Sequence, residues 1–262
     1  MNDSFKIYSN TGNPFDLTGK TALITGGGRG LGFAIAEAMV QNGAEVIITG
    51  RNENLLQQAC KTLGNKCTYH VFDLNNIESI PAFVTTIERI HGKVDILINN
   101  AGINYKKEIP YVSDEEYNQV IKTNQTAVFV LSREFSKKMI ERKSGCIIMI
   151  SSMASQYGIP KVIAYSASKA AVEGMTRAMA VELSPLGIRV NCIAPGFIET
   201  DMSAKALNND PERKQKALSR TPMGKLGKPS DIGNAAVYLC SEAASYVTGI
   251  VLPVDGGNSI GF

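Results

Sequence analysis

The chain has 262 residues, 44% apolar and 19% charged, with a formal net charge of +3, a balance that fits a globular protein able to bury a core without staples. That charge is too weak to make nucleic acid or an anionic membrane the main partner. Five cysteines (Cys60, Cys67, Cys146, Cys192, Cys240), none in C-x-x-C spacing, and only two histidines, His70 and His91, read as reduced buried thiols and exclude a disulfide framework and a histidine-rich metal site.

Residues 1–16 are polar and lack the apolar core of a signal peptide. They read as an N-terminal extension to one domain over 17–262, and the expected address is the cytoplasm. Lys20–Thr25 reads as a buried strand, and Gly30–Gln41 as a helix that Gly43 ends. Glu45–Thr49 is a second strand, Asn52–Leu63 a helix stopped by Gly64, and Cys67–Phe72 a third strand. A helix over Ile77–Ile90 tolerates Pro81 in its first turns. Val94–Ile98 is the fourth strand. Ser113 and Glu116 form a capping box that opens a helix running past Asn124.

Cys146–Ile150 is the fifth strand, Tyr165–Leu183 a long helix, and Ile188–Ile193 the sixth strand. Ser230–Ser241 is the last helix and Ile250–Val254 the seventh strand. Apolar strands alternating with helices predict an α/β fold whose parallel sheet is covered on both faces. Ligands of such sheets bind beyond the carboxyl ends of the strands. The stretch 197–229 is polar and contains Asp210-Pro211 and Lys228-Pro229. It reads as a solvated loop or, because it follows a strand, as a substrate lid.

The first strand runs into Thr25-Gly-Gly-Gly-Arg-Gly-Leu-Gly32 and then a helix. Glycines at 26, 28, 30 and 32 let backbone approach a pyrophosphate, with Arg29 and Leu31 between them. The helix N-terminus adds free N–H groups and a positive dipole end. The second strand ends at Gly50-Arg51, without the carboxylate that would hold a ribose 2′-hydroxyl. Arg51, aided by Arg29, suits a 2′-phosphate, although both arginines also suit a solvated surface. The expected cofactor is NADP(H), with NAD(H) as the alternative. Asp73, followed by Leu74, ends the third strand and serves either as an acceptor for an adenine amino group or as a helix cap.

Tyr165 and Lys169 are four residues apart on a predicted helix and share a face. An ammonium about 5 Å from a phenol, at an effective dielectric near 20, stabilises the phenolate by roughly 3 kcal/mol and should draw the phenol down toward neutrality. Ser152, after the fifth strand, is placed to hold a substrate oxygen, or simply ends the strand. It sits in no G-x-S-x-G elbow and is no candidate nucleophile. Asn124, a poor helix former, bends its helix and holds a relay water, or is a surface amide. Asn100, Ala101 and Gly102 follow the fourth strand and let backbone approach the cofactor. Pro195 and Gly196 follow the sixth and aim Ile198 and Thr200 at the nicotinamide carboxamide.

Together these motifs resemble the short-chain dehydrogenase/reductases in their single-domain form, over about Leu17–Gly257. The carrying residues are Thr25–Gly32, Asn99-Asn-Ala-Gly102, Asn124, Ser152, Tyr165-Ser-Ala-Ser-Lys169 and Pro195-Gly196. The resemblance implies a Rossmann-like doubly wound parallel sheet of seven strands, helices on both faces and a homotetramer or homodimer. It also implies a tetrad of Asn124, Ser152, Tyr165 and Lys169. In that tetrad Tyr165 is acid/base, Ser152 positions the carbonyl, Lys169 also binds the nicotinamide ribose and Asn124 organises the relay water. No metal is implied.

Within the family, the opening FDLTGKTALITGGGRGLG, the Gly50-Arg51 pair and the closing VDGG look most like gluconate 5-dehydrogenase-type members. The expected substrate is a small secondary alcohol or ketone on a sugar acid or polyol. Lys106 and Lys107, just past the Asn99–Gly102 loop, are placed to meet a sugar-acid carboxylate, or are a solvated pair. The alternatives are a 3-oxoacyl-(acyl-carrier-protein) reductase and, in another class, a catalytically silent nucleotide sensor.

Overall fold

The computed structural model describes residues 12–200, 215 and 217–261. Residues 1–11 of the extension, and 201–214 and 216 of the expected lid, lie outside the described residues.

Seven strands form one sheet: β1 (Thr21–Thr25), β2 (Glu45–Gly50), β3 (Cys67–Val71), β4 (Ile96–Asn99), β5 (Gly145–Ile150), β6 (Ile188–Pro195) and β7 (Val251–Val254). Their order is β3-β2-β1-β4-β5-β6-β7, and all neighbours are parallel. The chain winds outward from β1 through β2 and β3, then returns to place β4 on the other side of β1. That reversal opens a crevice at the carboxyl ends of β1 and β4.

Among the described residues, the sheet is covered by helices α1 (Gly30–Gln41), α2 (Glu53–Leu63), α3 (Ile80–His91), α4 (Asp114–Ile121), α5 (Ala127–Arg142), α6 (Ile163–Leu183) and α7 (Pro229–Cys240). Alternation along each strand splits the core in two. Ile24, Ile48 and Ile98 face Ile35, Met39 and Ile232 of α1 and α7. Leu23, Ile47 and Leu97 face Ile87, Leu131, Phe135 and Val172 of α3, α5 and α6. Each such fully buried side chain contributes about 1.5–3 kcal/mol.

Several boundaries differ from the sequence reading. β6 continues to Pro195, because Ala194 and Pro195 still pair with β7. α6 begins at Ile163, two residues ahead of Tyr165. The helix expected to run past Asn124 is interrupted by a π-helical turn at Lys122–Thr126, which separates α4 from α5. Residues 13–17 pack on the domain: Leu17 is buried and donates its N–H to Asn42 O at 2.8 Å, and Pro14 O accepts from Ala243 N at 3.0 Å. The two histidines meet each other, with Nε2 atoms 2.7 Å apart between β3 and α3. Among the described residues, no helix is long and apolar enough to cross a membrane.

Candidate active site

The glycine loop connects β1 to α1 at the crevice. Gly26 adopts φ +67, and a Cβ on Gly32 would stand 2.3 Å from Gly26 O. Any side chain at 32 would therefore drive the loop away from α1. Arg29 caps α1 in extended conformation, without a side-chain cap bond and without an acidic residue in the first turn. The first N–H groups of a helix have no intrahelical acceptor, so this end suits an anion.

The neighbouring loop is laced to it. Thr25 Oγ1 accepts from Asn100 N and Ala101 N, each at 3.0 Å, and Asn100 Nδ2 donates to Thr25 O at 2.8 Å. Arg29 and Arg51, with Asn52, Glu53, Asn54 and Leu55, line an open cavity of about 570 Å³ beyond β2. A tight glycine cradle, a bare helix N-terminus and two arginines at the ribose end fit a phosphorylated dinucleotide. Asp73 Oδ1 accepts from Asn75 N at 2.9 Å and from Asn75 Nδ2 at 3.1 Å. These bonds close a local turn, and the helix-cap alternative does not hold, because the N-cap position of the helical turn that follows is Asn76. Leu74 beside Asp73 is buried.

Four elements bring the catalytic candidates together. Asn124 sits in the π turn and is fully buried, so the surface-amide reading fails. Its Oδ1 accepts from Ile103 N at 2.8 Å, and its Nδ2 donates to Ile103 O at 2.8 Å and to Ser168 Oγ at 3.2 Å. The expected bend exists. The side-chain amide holds the turn after Gly102. Ser152 leaves β5 in extended conformation, and its Oγ accepts from Ala154 N at 3.2 Å. Lys169 is buried, donates from Nζ to Ile150 O at 2.7 Å and stands over the Tyr165 ring. A Cβ on Gly102 would lie 3.2 Å from Asn124 Oδ1 and 3.6 Å from Lys169 Nζ. Gly102, Asn124 and Lys169 thus converge.

Electrostatics correct one expectation. Burial pushes the Tyr165 phenol up, against the pull of the Ser152 hydroxyl. Burial also draws the Lys169 ammonium down to about 8, with Cys192 opposing. The sequence argument counted the attraction between ammonium and phenolate but not the water both lose. Desolvation of the phenol outweighs the pull of the Ser152 hydroxyl.

β6 ends where Pro195-Gly196 turns. Gly196 N donates to Val254 O at 3.0 Å, and a Cβ on Gly196 would lie 2.6 Å from Asp255 Cα. Ile198 is buried and forms a bridge with Gly227, which brings the two ends of the 197–229 stretch together. Thr200 is the last described residue before the lid's interior.

The expected partner role of Lys107 does not hold. Its Nζ donates to both carboxylate oxygens of Glu116 at 2.9 Å, and its N–H donates to Lys161 O at 2.8 Å. Glu116 also completes the capping box through Ser113 N, and these bonds hold its carboxyl below the usual range, the Ser113 N–H first and Lys107 next. Lys106 remains exposed.

Sequence reasoning missed two groups. Tyr157 donates its hydroxyl to buried Asn258 Oδ1, and the Arg220 guanidinium stands 5.1 Å from the Tyr157 ring centroid. Asn258 Nδ2 donates in turn to Thr221 Oγ1 at 3.0 Å. This joins the loop after Ser152 to the lid and the C-terminal turn, a contact with no local signal. Glu173, buried on α6, is the other. Its signal was available: a carboxylate four residues past Lys169, on the same face.

A family model described as enoyl-(acyl carrier protein) reductase matches residues 26–259. The 3-oxoacyl-(acyl-carrier-protein) reductase FabG of Vibrio harveyi is 41% identical over 242 residues, covering 92% of this chain and 98% of that protein. The 5-keto-D-gluconate 5-reductase of Escherichia coli is 40% identical, covering 93% and 96%. The structure of a gluconate 5-dehydrogenase from Burkholderia cenocepacia in complex with NADP and tartrate superposes with a TM-score of 0.90 at 32% identity, covering 95% of this chain and 98% of that one.

Proposed function

The chain belongs to the short-chain dehydrogenase/reductase family, and on that footing we propose that it interconverts a secondary alcohol and a ketone with NADP(H), on a sugar acid or polyol. One observation carries the reading: Ser152, Tyr165 and Lys169 gather at the carboxyl edge of the sheet, beside the glycine cradle. NADP(H), when bound, would supply the hydride in reduction and take it in oxidation, and the chain's own residues handle the oxygen and its proton. Ser152 donates its hydroxyl to the carbonyl oxygen. Tyr165 delivers a proton to that oxygen in reduction and recovers it in oxidation. Lys169, mostly ammonium at neutral pH, steadies the phenolate and reaches the nicotinamide ribose. Asn124 fixes the Gly102–Ile103 turn against the site.

Gly26, Gly28, Gly30, Leu31, Gly32 and the α1 N-terminus hold the pyrophosphate. Arg29 and Arg51 take the 2′-phosphate, and Asp73 and Leu74 border the adenine. Asn100, Ala101 and Gly102 present backbone to the cofactor. Pro195, Gly196, Ile198 and Thr200 flank the carboxamide. NAD(H) fits the same cradle but leaves the arginines without their anion.

The sugar-acid reading is supported by the gluconate-named relatives and by two cations near the site, exposed Lys106 and Arg220. A 3-oxoacyl thioester on a carrier protein is the second reading, supported by the equal likeness to the Vibrio harveyi reductase. We also propose a homotetramer or homodimer in the cytoplasm. Exposed Phe129 on α5 and Val181 on α6 supply an apolar outer face for self-association.

A panel of sugar acids, polyols and acyl thioesters followed by NADPH absorbance tests the substrate. Tyr165→Phe tests the chemistry: turnover should vanish while NADPH binding survives. Wild-type protein that binds NADPH and turns over nothing in the panel would establish the sensor instead.

A further inference from the structure

Glu173 lies one helical turn beyond Lys169 and two beyond Tyr165 on α6, and only 8% of its surface is exposed. None of the roles assigned above uses it. A buried carboxylate persists only where donors replace its lost water. Here the donors are hydroxyls. Ser151 Oγ donates to Glu173 Oε1 at 2.8 Å, and Ser155 Oγ meets the same oxygen. Ser151 and Ser155 bracket the turn that carries Ser152, and Ser155 Oγ also abuts Ser152 O. Ser151 Oγ lies 3.3 Å from Lys169 O, which brings the turn against the helix backbone.

We propose that Glu173 is a positioning residue: its carboxylate ties the Ser151–Ser155 turn to α6 and so sets the Ser152 hydroxyl against Tyr165. Lys169 already joins α6 to the end of β5 through Ile150 O, and Glu173 adds a second tie, one helical turn further on, to both ends of the turn itself. Displacement of a reacting group by about 1 Å costs on the order of a hundredfold in rate. A carboxylate on a long helix is a rigid anchor for that purpose. The inference rests on the proposed roles of Ser152 and Tyr165.

The test uses the 262-residue chain with the best substrate of the panel, comparing wild type, Glu173→Ala, Glu173→Gln, Ser155→Ala, the Glu173→Ala/Ser155→Ala double variant and Tyr165→Phe. Glu173→Ala should lower kcat about tenfold or more, with the NADPH Kd within about twofold of wild type. Glu173→Gln should recover most of that loss, because its amide oxygen still accepts from both serines. Ser155→Ala should lower kcat alone and add nothing to Glu173→Ala, since both cut one tie. Wild-type kcat in folded Glu173→Ala overturns the proposal, as do equal losses in the Ala and Gln variants or losses that multiply in the double variant. If Glu173→Ala fails to fold, wild-type kcat in Ser155→Ala overturns it. Activity surviving in Tyr165→Phe overturns the site reading itself. An inactive Tyr165→Phe beside a fully active Glu173→Ala overturns only the role of Glu173.

Discussion

Lys169 holds its ammonium over the face of the Tyr165 ring, 5.5 Å from the centroid, while the same nitrogen donates to Ile150 O at 2.7 Å. Burial draws the lysine down to about 8 and pushes the phenol up. In the free protein the first proton therefore leaves the ammonium. The folded lysine loses its proton below its ordinary 10.5, so between those values the unfolded chain binds more protons and stability rises with pH. Tyr165 acts in the opposite sense above its ordinary 10.0. Urea unfolding of wild type, minus that of Lys169→Met, should gain about 2 kcal/mol between pH 8 and 9.5. A difference flat with pH removes the buried-ammonium reading. Tyrosinate absorbance assignable to Tyr165, by difference from Tyr165→Phe, should be absent below about pH 10.

Gly50 and Arg51 carry the cofactor preference. Gly50 is not among the positive-φ glycines, and a Cβ there would meet only Leu56 Cδ2 at 3.7 Å. Gly50→Asp is therefore accommodated without strain. It places a carboxylate at the ribose end, which repels a 2′-phosphate and accepts from a 2′-hydroxyl. Combined with Arg51→Leu, it should raise KM for NADPH about a hundredfold and lower KM for NADH, with the unfolding midpoint unchanged. Retained NADPH preference in this variant refutes the assignment of Arg51.

The fold was legible because each buried strand is a short apolar run closed by a turn signal, as at ALIT before Gly26 and CIIMI before Ser151. The cradle was legible for the same reason: Gly26 and Gly32 are demanded by backbone contact, and backbone demands leave glycines in the sequence. Tyr165 and Lys169 share a helix face, so spacing alone aligned them. What escaped were pairings decided across loops. Lys107 looked free because Glu116 already had a local use in the capping box, and one carboxylate serves both. Tyr157 and Asn258 are 101 residues apart and meet only in the folded domain. The upward push on Tyr165 escaped because it comes from dehydration, a property of the assembled site.

Asn124 ties the Gly102–Ile103 turn to the π turn through two hydrogen bonds and reaches Ser168 on α6 through a third, in a fully buried setting. Asn124→Ala leaves the N–H and C=O of Ile103 without those partners. At about 1–3 kcal/mol for each of the two buried groups left unmade, the loss should be about 2–6 kcal/mol, which lowers Tm by about 4–24 °C in a domain of this size. The kcat should fall as well, because Gly102 borders Lys169. Calorimetry and single-turnover kinetics check both. An unchanged Tm would show that the turn is held by other contacts.

Arg220 is the cation the structure adds to the substrate question. It stands over the Tyr157 ring, on the lid side of the loop that leads from Ser152 to Tyr165. Among the described residues it forms no ion pair, whereas Lys107 and Lys161 are held by Glu116 and Glu108. A guanidinium stacked on an aromatic face keeps its N–H fork free for a carboxylate. Arg220→Ala should therefore raise KM for a sugar acid about tenfold or more and leave KM for a neutral ketone within about twofold, a difference of about 1 kcal/mol or more. Lys106→Ala tests the other cation in the same assay. Equal changes on acidic and neutral substrates would place the effect of Arg220 in lid packing with Tyr157, and a loss confined to Lys106→Ala would return the carboxylate to the loop after Gly102.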